Sequence, residues 1–168
     1  MLALMNNSIK LQSKDNQEVS VKLSSIKLSK TVLSIISLPE SDDAESISEY
    51  SLPSEPVPLN TIDYSILLKV VEYCDYHSQN KNELSEKDTI SWNEEFLSIS
   101  DDELFNIILA ANYLEINCLL DLTCKKVADV IKKCNSPKDI RRRFNIKNDF
   151  TPEEEEEVRK ENSWVDEK

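Results

Sequence analysis

The sequence predicts an α/β fold of the α+β kind, in which a small sheet with helices is extended by further helices. Three observations predict it. Apolar and polar side chains alternate between Ser8 and Leu23, a short apolar run is flanked by proline at Pro56 and Pro58, and three helix-start patterns stand after residue 100.

Ser8-Ile-Lys-Leu-Gln-Ser13 and Glu18-Val-Ser-Val-Lys-Leu23 alternate on either side of Asp15-Asn16. This predicts a hairpin with one buried face. In Lys30-Thr-Val-Leu-Ser-Ile-Ile-Ser-Leu38, a helical period puts Val32, Leu33, Ile36 and Ile35 on one side before Pro39 stops the helix. Pro56-Val-Pro-Leu59 reads as an edge strand, because proline cannot donate to a central ladder. Thr61 is then expected to cap a helix that carries Ile66, Leu67, Val70, Val71 and Cys74 on one face. Residues 41–54 and 78–88 are polar with little to bury, and are expected to be flexible surface loops.

Ser100-Asp-Asp-Glu103, Ser136-Pro-Lys-Asp139 and Thr151-Pro-Glu-Glu154 each place a hydroxyl before a carboxylate three residues later. Such a pair satisfies N–H groups that a helix start leaves unpaired, and proline tolerates the first helical position. Asn117 is expected to take the left-handed conformation that ends one helix and opens the next. The helix after Ser100 is apolar almost all round, which predicts a central position. The next one carries Leu119, Leu120, Val127, Ile131 and Cys134 on a face. Ile140, Phe144, Ile146 and Phe150 surround a short basic helix. The last helix has little but Val158, Trp164 and Val165, a stripe too thin to hold it down alone, and so it reads as a partner surface.

Composition excludes several classes of function. The chain of 168 residues has no glycine, so phosphate-cradling loops and dinucleotide fingerprints are excluded in their usual form. A lone histidine, His77, excludes a multi-histidine metal centre. The four cysteines, Cys74, Cys118, Cys124 and Cys134, form no CxxC pair and read as reduced structural thiols. No catalytic, cofactor or metal site is expected. No apolar run reaches the length of a membrane span, and residues 1–8 lack the regions of a signal peptide. A soluble, non-secreted protein is therefore expected. Net charge is −12. Lys132, Lys133, Lys138, Arg141, Arg142, Arg143 and Lys147 form a basic cluster, but the acidic segment downstream opposes nucleic acid. A solvated helix face or an acidic protein partner suits the cluster better.

Ile107-Leu-Ala-Ala-Asn-Tyr-Leu-Glu-Ile116, Leu119-Leu-Asp-Leu-Thr-Cys-Lys125, Phe144-Asn-Ile-Lys-Asn-Asp-Phe-Thr151 and the stretch from Glu153 to Trp164 carry a family resemblance. Ile9 to Ser13, Pro56 to Leu59 and Trp92 to Phe96 match in order as well. Over nearly its whole length the chain resembles the S-phase-kinase-associated adaptors of SCF ubiquitin ligases. The resemblance implies a BTB/POZ-type platform with residues 1–99 as its first part and 100–134 as its last helices. Residues 135–168 would be the helical extension. It implies a non-catalytic adaptor between a cullin scaffold, met by Asn112 and Tyr113, and the F-box proteins. Leu119, Leu120, Val127, Ile131, Ile140, Phe144, Ile146, Phe150, Val158 and Trp164 fall on the F-box side. Pro137 matches a proline that some relatives hydroxylate and glycosylate. Cys118 departs from the family's usual glycine, and the turn from Lys133 to Ser136 is one residue longer, which bears on F-box selectivity. Cytoplasmic and nuclear localisation and a homodimer of the free chain are further expectations, with no direct nucleic-acid or membrane partner. An elongin-C-like adaptor and a structural subunit of a chromosome-attachment complex are the alternatives.

Overall fold

The computed structural model describes residues 8–36, 52–79 and 85–162. Strand β1 (Ser8–Ser13) lies between β2 (Glu18–Lys22) and β3 (Val57–Leu59), antiparallel to the first and parallel to the second. Ile9 stands opposite Val21, and Leu11 stands opposite both Val19 and Val57. The alternation read from the sequence buries Ile9, Leu11 and Ser13 of β1 with Val21 of β2. β3 is an edge strand, and Pro58 faces outward between the buried Val57 and Leu59. Asn16 turns the hairpin at φ 60°, in the left-handed region that asparagine tolerates.

The one-turn helix α1 (Leu23–Ile26) is tied to α3 (Tyr64–Gln79) through the buried Ser25. Its hydroxyl donates to the Asp75 carboxylate and lies 3.1 Å from the Ser78 hydroxyl. Helix α2 (Lys30–Ile35) is capped by Ser29 and buries Val32 and Leu33. Ile36 is half-buried as expected, whereas Ile35 is turned out to solvent. On α3, Ile66, Leu67, Val70, Tyr73 and Cys74 face the core that α1, α5 and the sheet complete.

Helix α3 starts at Tyr64, later than a cap at Thr61 would place it. The Tyr64 N–H donates at 3.0 Å to Asp15 in the hairpin turn, 49 residues earlier. The same carboxylate accepts from the Ser13 hydroxyl (2.7 Å) and the Gln17 amide (2.6 Å), while the Lys14 N–H donates to the Ile62 carbonyl. The hairpin thus supplies the helix cap and fixes the β3–α3 connection. These hydrogen bonds, that from Ser13 foremost, hold the Asp15 carboxyl below its ordinary value of 3.8. A depressed folded-state pKa stabilises the fold above the unfolded value and ceases to do so as pH falls through the folded one. Asp15→Ala should therefore melt below the parent at pH 7. Thermal melts taken down through the aspartate range should show that gap closing. A gap independent of pH would deny the carboxylate this role.

Of the second polar stretch, Ser78 and Gln79 belong to α3 and residues 86–88 to α4 (Glu86–Phe96), while residues 80–84 lie outside the described residues. Of the first, residues 41–51 also lie outside, and Leu52 packs against the core. Ser85 caps α4. Trp92 stacks on Tyr76 with ring centroids 3.9 Å apart and planes 6° apart, next to Tyr73, His77 and Phe96.

Ser100 caps α5 (Asp101–Tyr113), and α6 (Asn117–Lys132) follows. The left-handed residue between them is Glu115 (φ 52°), and Asn117 is already the first residue of α6. The Ile116 N–H reaches the Ala111 carbonyl and the Glu115 N–H the Asn112 carbonyl, which is a Schellman turn built without glycine. The core gathers in the unit formed by residues 1–128.

Residues 129–168 form the second unit. Ser136 caps α7 (Pro137–Arg143), and Thr151 caps α8 (Pro152–Glu161) with a complete capping box. Asn145 (φ 51°) ends α7, with the Ile146 N–H on the Arg141 carbonyl. Arg141 pairs with Glu155 at 3.1 Å and so links the two helices. No side chain of α7 or α8 is buried.

Candidate functional site

Helix α5 is not buried on every side. Leu104, Ile107, Ala110 and Ala111 face the core, while Phe105, Leu109 and Tyr113 recur at four-residue spacing on the outer face. Their exposures are 36%, 66% and 39%. Asn112, also exposed, adds an amide at the position before Tyr113. A cavity of about 270 Å³ opens between this face and the β3–α3 connection. Ile62, Ile66, Leu109, Ala110 and Tyr113 give it apolar walls, and Asp63 and Asn106 give it polar groups. An apolar stripe beside a dent with a few polar groups can seat another protein's side chains. Asn112 and Tyr113, named from the sequence, are exposed here, and Phe105 and Leu109, read from the sequence as part of a central helix, are exposed beside them. The available signal was the excess of apolar residues on α5, more than one buried face can use.

In the second unit Ile131, Ile146, Phe150 and Val158 are exposed, and Ile140 and Phe144 are half-buried. Leu120 and Val127 on α6 are partly buried against the core of the first unit. Leu119, expected on the F-box side, is instead 0% exposed and part of that core. One step along a helix turns a side chain by about 100°, which separates Leu119 from its neighbour Leu120. Trp164 and Val165 lie outside the described residues. Pro137 is exposed at the first position of α7.

The basic cluster is partly paired within the chain. Arg142 meets Asp139 at 2.6 Å, Arg141 meets Glu155, and Lys132 lies 3.6 Å from Asp129. The His77 Nε2 lies 3.1 Å from the Asn93 side-chain oxygen, and burial lowers the imidazole's pKa. Burial foremost, then Cys118 and Asp75, pushes the Cys74 thiol up to about 12, so it carries no thiolate at neutral pH. Among the described residues no three metal-ligating side chains gather, and no helix is long and apolar enough to cross a membrane.

The Skp1 family tetramerisation-domain model matches residues 7–79, and the Skp1 family dimerisation-domain model matches residues 117–165. The chain belongs to the Skp1 family. A Skp1-related protein of Caenorhabditis elegans is 43% identical over 98% of this chain and 94% of the relative. SKP1-like protein 11 of Arabidopsis thaliana is 51% identical over 67% of this chain and 74% of its own. A protein of Talaromyces marneffei named E3 ubiquitin ligase complex SCF subunit sconC is 37% identical over 98% of this chain and its own full length. The three-stranded sheet and the helices α1 to α3 fall within the matched tetramerisation, or POZ, domain of a Skp1-family protein, and the chain has an α+β fold. The matched C-terminal domain takes in α6, α7 and α8.

Proposed function

We propose that this chain is the non-catalytic adaptor of an SCF ubiquitin ligase. It carries a cullin scaffold on the outer face of α5 and an F-box substrate receptor on apolar side chains of α6 to α8. The observation that carries the reading is the stripe of Phe105, Leu109 and Tyr113, exposed at four-residue spacing along one helix of the platform. A relative named as an SCF subunit matches over almost the whole chain, which supports the same assembly here. In the second unit, Ile131, Ile146, Phe150 and Val158 supply the separate apolar groups that a second partner needs. The chain does no chemistry of its own. Its contribution is to bring receptor and scaffold together on one chain, which raises the effective concentration of substrate at the ligase.

The free adaptor pairs with a second copy and works in cytoplasm and nucleus. Neither nucleic acid nor a membrane is its direct partner, and its net charge of −12 opposes both phosphates and anionic lipid. Pro137, exposed on α7, is open to hydroxylation and glycosylation. Intact-mass measurement of the native protein should show the added oxygen or sugar, and an unmodified mass removes that part of the reading. Affinity capture of the tagged chain from its own cells, read by mass spectrometry, tests the whole. A cullin and several F-box proteins are expected. Proteins with another receptor box, or centromere proteins without a cullin, would overturn it.

A further inference from the structure

The last turn of any helix leaves carbonyls without intrahelical donors. At the C-terminal end of α5, which carries Tyr113, two of those carbonyls are taken by hydroxyls from a distant part of the chain. The Thr31 hydroxyl donates to the Tyr113 carbonyl at 2.8 Å, across 82 residues. The Ser29 hydroxyl donates to the Leu114 carbonyl at 2.7 Å, across 85 residues. Ser29 is buried, and the same oxygen accepts the Val32 N–H at 3.2 Å as the cap of α2. One hydroxyl therefore closes the start of α2 and the end of α5 together. The turn they hold contains Glu115 in the left-handed region, a conformation that is unfavourable for a residue with a side chain. Without outside donors this turn has reason to unwind, and Tyr113, the last residue of α5, would turn with it.

We infer that Ser29 and Thr31 are positioning residues for the cullin-binding face. Their hydroxyls set the rotation of the last turn of α5 and hence the direction of the Tyr113 ring. The inference rests on the proposed cullin contact and adds residues that touch no partner.

Thr31 is half-exposed and is the site to vary, since Ser29→Ala orphans a buried carbonyl and risks the fold. Affinity for a purified cullin N-terminal fragment is measured for the full chain, Thr31→Val and Thr31→Ser, each with Tyr113 and with Tyr113→Ala. Thr31→Val should weaken binding about threefold to tenfold, the worth of one hydrogen bond. Thr31→Ser should restore it, F-box affinity should not move, and the loss should vanish in the Tyr113→Ala background. An equal loss in that background, or none with Tyr113 present, overturns the inference. If the parent binds no cullin fragment, the cullin reading fails instead. Amide exchange at residues 114–116 then decides the clip, which is overturned if Thr31→Val leaves exchange unchanged.

Discussion

Tyr113→Ala should weaken cullin binding by about thirtyfold, and adding Leu109→Asp should abolish it at micromolar concentrations. An aromatic anchor at an interface centre is worth about 2 kcal/mol or more when truncated, and each 1.4 kcal/mol is a factor of ten. A carboxylate at position 109 would have to lose its water inside an apolar contact, at a cost of several kcal/mol. Both side chains are exposed on α5, so the fold should barely notice either change. F-box binding should persist, because its side chains lie on other helices. Isothermal titration against each partner separates these outcomes. A lowered melting temperature with equal loss of both partners would mean that Tyr113 acts through packing within its own platform.

Leu119→Ala should do the opposite and strike stability first. Leu119 is fully buried, and truncating a buried leucine removes transfer free energy and leaves a cavity, costing about 2–5 kcal/mol. For a chain of this size that lowers the melting temperature by roughly 10 °C. F-box and cullin binding should fall together, in proportion to the unfolded fraction. Ile131→Ala, at an exposed position on the same helix, should leave stability within about 0.5 kcal/mol. Its effect should appear in F-box affinity alone. Calorimetry of the two variants checks the contrast. A Leu119→Ala protein that melts like its parent and loses only F-box binding would return Leu119 to the docking face.

The two variants also mark where the sequence was legible. The hairpin, the edge strand and the caps at Ser100, Ser136 and Thr151 rest on chemistry within a few residues of each other, and local pattern reveals such features. The start of α3 was misplaced because its cap is Asp15, donated by the hairpin from 49 residues away. The left-handed turn fell on Glu115 and not Asn117, since the core seats Leu114 and Ile116 on either side of it and imposes the conformation on whatever lies between. On α5 an apolar excess hid its own outer face, because periodicity cannot tell a residue that meets the core from one that awaits a partner. The same ambiguity of one helical step put Leu119 on the wrong side of α6. Asn112 and Tyr113 were named only through family resemblance, and geometry places the exposed Phe105 and Leu109 and a cavity beside Tyr113.

The central claim is that one chain holds two partners at once through separate side chains. Mixing the purified chain with a cullin N-terminal fragment and an F-box protein, and weighing the species by native mass spectrometry, tests it directly. The expected result is a complex with one copy of each, formed only when the adaptor is present. Competition between the two partners for the adaptor, with no ternary species at any ratio, would contradict it.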